Sequence, residues 1–84
     1  MTNHPNRSKE IQEWTIRFHR YFPITAAGEA RAPENRYVVF CGTRAEAIAR
    51  YNSERNANPR SVQITLYHSF GPLVCEARGT AEDA

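Results

Sequence analysis

The sequence predicts an α+β fold: a mostly antiparallel sheet of about four strands, ordered β-β-α-β-β along the chain, with one helix on one face. Three observations lead there. Apolar and polar residues alternate with period two through 13–22 and again through 62–67. A capping signature opens a helix just after Gly42. The remaining apolar stretches are of strand length and are separated by turn residues. At 84 residues the chain is read as a single domain over 1–84, with flexible tails at about 1–9 and 79–84.

The stretch 36–54 organises the rest. Tyr37, Val38, Val39, Phe40 and Cys41 form a β-branched and aromatic run with apolar side chains on both faces, the signature of a central strand buried on both sides. Gly42 permits a tight turn. Thr43 and Glu46 then make a capping box, each side chain accepting from the other residue's backbone N–H. The helix that follows places Ala45, Ile48, Ala49 and Tyr51 on an apolar arc, and Glu46, Arg50, Ser53 and Glu54 opposite. Glu46–Arg50 and Arg50–Glu54 are one turn apart and add modest support. Asn52 falls inside the apolar arc and reads as a lip residue or local hydrogen bonder. Asn56, Asn58 and Pro59 end the helix.

In the first strand Trp14, Ile16 and Phe18 point one way, toward the helix, and Thr15, Arg17, His19 and Tyr21 the other. The connection over 23–35 holds Pro23, Gly28 and Pro33 and should be long and exposed; its mixed charges, Glu29, Arg31, Glu34 and then Arg36, make it a candidate for partner contact. Val62, Ile64 and Leu66 alternate with Gln63, Thr65 and Tyr67 in a second half-buried strand. His68 to Pro72 turn the chain into a short final strand over 73–77, an edge compatible with pairing across a homodimer. One helix covers only one face of such a sheet. The other would display Arg17, His19, Tyr21, Gln63, Thr65 and Tyr67.

Composition bounds the function. A hydrophobic fraction of 40% argues for a folded globule. No run approaches a membrane span and no leader-like block of charge followed by apolar residues opens the chain, so a cytoplasmic protein without membrane contact is expected. Cys41 and Cys75 sit in apolar strand patterns and read as small buried hydrophobes rather than a disulfide. The formal charge of +2 does not by itself imply nucleic acid. All the basic residues except Lys9 are arginine, a bias suited to bidentate contacts and equally produced by a G·C-rich gene.

Catalytic, cofactor and metal residues are not assigned. Cys41, Cys75, His19 and His68 lack paired metal-ligand spacing. His68 and Ser69 are chain neighbours whose side chains diverge, and no nucleophile elbow or metalloprotease motif occurs. Cys41-Gly42-Thr43-Arg44 has too few glycines for a phosphate loop. Binding is the remaining class. An open sheet face with Arg17, His19, Tyr21 and Tyr67 suits a protein partner, because arginine and tyrosine serve as interface anchors. The alternative is single-stranded nucleic acid held by stacking and charge.

In size and in its lack of a catalytic motif the chain resembles the small orphan proteins of phages and mobile elements, anti-CRISPR proteins among them. That resemblance implies a stoichiometric inhibitor masking a surface of a host effector complex. Against a basic target the acids Glu29, Glu34, Glu46, Glu54, Glu82 and Asp83 should matter; against an acidic one, Arg17, Arg20 and Arg36 with Tyr21 and Tyr67. The aromatic face is preferred as the contact.

Overall fold

The computed structural model describes residues 10–22, 25–30 and 32–82. The tail over 1–9, Pro23, Arg31 and Asp83, all considered above, lie outside the described residues. Strand β1 (Gln12–Arg20) is followed by β2 (Glu34–Gly42), helix α1 (Arg44–Ala57), β3 (Val62–His68) and β4 (Leu73–Arg78). The strands form one antiparallel sheet in the order β2-β1-β3-β4, so the α+β fold predicted above is the fold observed. β1 is central and antiparallel to both neighbours, which makes β2 and β3 run the same way on either side of it. Strands so related need a crossover, and α1 supplies it, carrying the chain over β1 on one face.

That face holds the core. Trp14, Ile16 and Phe18 of β1 pack with Val62, Ile64 and Leu66 of β3 beneath Ala47 and Tyr51 of the helix. Val38, Phe40, Ile48, Val74 and Cys75 fill its margins. The Trp14 indole donates to the Gly42 carbonyl at 2.9 Å, tying the core to the strand–helix junction, and stacks on His68 at 4.2 Å. The Tyr51 hydroxyl donates to the Ile64 carbonyl at 2.9 Å. Burial pushes the Tyr51 phenol above its usual range, so it stays a neutral donor.

The capping box forms as expected. The Glu46 amide donates to the Thr43 hydroxyl at 3.2 Å, and the Thr43 amide donates to Glu46 Oε1 at 2.8 Å. The Thr43 amide, then its hydroxyl, hold the Glu46 carboxyl below the usual glutamate range. Thr43→Ala should lower stability by about 1 kcal/mol in urea unfolding, with little change in the slope against denaturant. At the other end the Asn58 side chain donates to the Glu54 carbonyl at 2.7 Å.

Three expectations are corrected. First, β2 is an edge strand, not a central one: Tyr37 and Val39 are 56% and 58% exposed. A run that is apolar on both faces suggests burial on both, but here no layer covers the side opposite the helix. Cys41 is exposed for the same reason, standing on that uncovered side across from Glu13, while Cys75 is half-buried. Second, the helix buries Ala47 and Tyr51, one turn apart, with Ile48 half-buried; Ala45, Ala49 and Asn52 are exposed. Three alanines at alternate positions leave the facing arc undecided until the sheet selects it. Third, the strand limits shift: β1 ends at Arg20, leaving Tyr21 just beyond it, and β2 starts at Glu34. After β4 the amides of Gly79, Thr80 and Ala81 donate to the carbonyls of Val62, Arg55 and Asn58. Proximity to the helix C-terminus explains this, because its last carbonyls need donors.

In the β1–β2 loop, the Gly28 amide donates to the Thr25 carbonyl at 2.8 Å, and the Glu29 amide to the Thr25 hydroxyl at 3.1 Å. Gly28 has φ 81°, a left-handed conformation that suits glycine.

Candidate binding surface

The registers define the uncovered face. Across the sheet, Tyr37, Arg17, Thr65 and Glu76 form one row. Val39, Thr15 and Tyr67 form the row beside it, and Asn35, His19, Gln63 and Arg78 the row on the other side. Period-two alternation along each strand puts all of these on the side away from α1.

Arg17 is at the centre. Its Nε is buried and has no hydrogen-bond partner among the described residues. Leaving such a donor without an acceptor costs about 1–3 kcal/mol. The side chain therefore lies against the sheet surface, half-buried among its neighbours. Thr65, beside it, is buried and donates its hydroxyl to Glu76 Oε2 at 3.1 Å. Thr15 is also buried, and its hydroxyl shares a hydrogen bond with that of Ser69 at 2.8 Å. Both threonines are self-contained. Arg17 is not.

At the end of the face His19 Nδ1 and the Asn35 side-chain amide share a hydrogen bond at 2.6 Å. The Tyr21 ring meets the His19 ring edge-on at 4.2 Å between centroids. Tyr21, although beyond β1, is thus held next to the face.

The candidate partner-contact residues divide. Arg17, His19 and Tyr67 share the uncovered face, with Tyr21 at its end. Arg20, Glu34 and Arg36 lie on the helix side, around a cleft of about 240 Å³ floored by Phe18, Pro59 and Val62. There the Arg36 guanidinium sits 4.2 Å over the Phe18 ring, and Arg20 lies 5.1 Å from the Phe22 ring. Glu29 is exposed in the loop between them. One flat surface does not hold both groups.

Tyr37, Val39, Glu76 and Arg78 belong to the face and escaped sequence reasoning. The signal was present for Tyr37 and Val39: once 13–20 and 34–42 are taken as a hairpin, Arg17 pairs with Tyr37 and the face is continuous. Comparison of the chain with protein-family models, with curated proteins and with solved structures returned no match. Among the described residues no three His, Cys, Asp or Glu side chains converge in a way that would hold a metal ion, and no helix is long and apolar enough to cross a membrane.

Proposed function

We propose that this chain is a non-catalytic protein-binding module that docks through its uncovered sheet face. In the fuller reading it is a small inhibitor of phage or mobile-element origin, acting in the cytoplasm by masking a surface of a host CRISPR-type effector complex. The observation that carries the binding reading is Arg17, a central arginine whose Nε is buried with no hydrogen-bond partner among the described residues, opposite exposed Tyr37 and diagonal to half-buried Tyr67. Arginine and tyrosine at the centre of a patch are the residue types that dominate interface energetics. The inhibitor reading rests on size and architecture, and adds the identity of the partner to the same surface.

A single-stranded nucleic acid would use the tyrosines for stacking and Arg17 for charge. Glu13 and Glu76 stand on the same face as Arg17 and Arg78, so its charge is balanced rather than basic. Balanced charge favours a protein over a phosphate backbone.

The test is affinity capture by tagged protein from nuclease-treated lysate of cells expressing CRISPR effectors, with wild type and Arg17→Ala side by side. A defined effector complex should be retained by the wild type and weakened about 30-fold or more by Arg17→Ala, the level of an interface hot spot. Retention that disappears with nuclease treatment would instead make the face a nucleic-acid platform.

A further inference from the structure

The two edges of the sheet are built differently, and one of them lacks protection. Strand β4 is 6 residues long, and its pairing with β3 slips at Leu66/Tyr67. Its end is also occupied, because the Arg55 side chain donates to the Arg78 carbonyl at 3.0 Å. Short length, an irregular register and side-chain cover are the devices by which edge strands avoid further pairing. Among the described residues strand β2 shows none of these three, although Glu34 and Arg36 put charge on it. It is 9 residues long, contains no proline, and stays in unbroken register with β1 from Gln12↔Gly42 to Arg20↔Glu34. No described backbone bond reaches its outer side. Among the described residues, the half of its backbone N–H and C=O groups that faces away from β1 therefore forms an open template.

We propose that β2 pairs with β2 of a second copy of this chain, antiparallel about Val38, joining the two sheets edge to edge with both helices on one side. The register follows from what each alternative places opposite. A two-fold axis at Val38 matches the full strand, because it is the midpoint of Glu34–Gly42. On the uncovered face it sets Tyr37 against Val39 twice, an aromatic with β-branched pairing that stabilises sheets. On the helix side it sets Arg36 against Phe40 twice, which opposes no like charges and leaves each in its own cation–ring contact, Arg36 over Phe18 and Phe40 under Arg50. Glu34 falls opposite Gly42, which has no side chain. A centre at Arg36 would oppose that arginine to itself, and centres at Tyr37 or Val39 leave strand residues at one end without strand partners. This goes beyond the proposed target binding and does not depend on it: Arg17 is not on the outer edge, so Arg17→Ala leaves self-association intact.

A single strand edge buries little area, which places the dimer at the weak, micromolar end of association. Sedimentation equilibrium from about 1 to 300 µM should show a monomer–dimer equilibrium for the wild type. The double variant Tyr37→Lys, Val39→Lys opposes like charges at both flanking pairs and should raise the dissociation constant about tenfold or more. The variant Tyr37→Lys, Val39→Glu opposes unlike charges only in the Val38-centred register and should restore dimerisation. A check free of substitutions is amide exchange, where protection in β2 but not β4 should rise with protein concentration. A wild type that stays monomeric throughout, a double-lysine variant that dimerises like wild type, a charge-swap variant that does not recover, or β2 protection independent of concentration would each overturn the proposal.

Discussion

Trp14→Ala should cost about 3–5 kcal/mol of stability, the range for removing a large aromatic from a core. That is a large part of the roughly 5–15 kcal/mol that holds a domain folded, so the variant should be partly unfolded at room temperature. Trp14 is fully buried on the core face of the central strand, toward the strand–helix junction, between Phe40 on one side and His68 on the other. Its removal opens a cavity under the helix and also strips Gly42 of the indole donor at 2.9 Å. The two losses separate in Trp14→Phe, which keeps much of the ring volume but leaves the Gly42 carbonyl without that donor. An unsatisfied buried acceptor costs about 1–3 kcal/mol, and Trp14→Phe should fall in that range. Because Trp14 is the sole tryptophan, unfolding is best followed by far-UV circular dichroism in urea. Equal losses for the two variants would mean that the hydrogen bond, not packing, dominates at this position.

Trp14 also illustrates what was legible beforehand. Strict alternation through Trp14, Ile16 and Phe18 assigned the core face of β1 correctly, because a half-buried strand imposes period two on its own residues. The capping box was equally local, since Thr43 and Glu46 satisfy each other without help from the rest of the fold. The misplacement of β2 has the opposite origin. Whether Tyr37 and Val39 are covered depends on what lies above them, and nothing within 37–41 encodes the absence of a second layer. The helix arc failed likewise: Ala45, Ala47 and Ala49 are interchangeable until Tyr51 finds the Ile64 carbonyl. For the binding surface, one strand's alternation identified Arg17 and His19, and another's identified Tyr67. The rows that join them to Tyr37 and Glu76 depend on strand order, which is a property of the whole chain. Arg20 and Arg36 stand beside Arg17 as cations for an acidic target, and Glu34 belongs to the loop reading, but alternation from Arg17 separates all three from the face: even-numbered residues of β1 and β2 point to the helix side.

Gly79→Ala should lower stability by about 1–3 kcal/mol, although Gly79 lies near the C-terminus and in backbone geometry open to any residue. The reason is space. A Cβ at Gly79 would lie 2.1 Å from the Asn58 carbonyl oxygen and 2.4 Å from that of Pro59. Both are backbone atoms at the end of α1, so no side chain rotates away to relieve the overlap. Close approach is what lets the segment after β4 bond back: the Gly79 amide donates to the Val62 carbonyl at 2.9 Å, Thr80 to Arg55 at 2.8 Å and Ala81 to Asn58 at 2.9 Å. A bridge between Pro59 and Ala81 completes the clasp. The penalty has a ceiling, because the chain can escape the overlap by releasing residues 79–82. At roughly 1 kcal/mol for each backbone bond lost, that release costs about 3 kcal/mol. Truncation after Arg78 measures the ceiling directly, and Gly79→Ala in the full chain should lose no more than the truncated protein does. Hydrogen exchange supplies the local readout: the amides of Gly79, Thr80 and Ala81 should lose protection in Gly79→Ala, while those of Ile16 and Leu66 in the sheet centre keep theirs relative to global stability. Unchanged protection at Thr80 and Ala81 together with unchanged stability would show that the helix end yields to the extra methyl, and that the clasp does not depend on glycine.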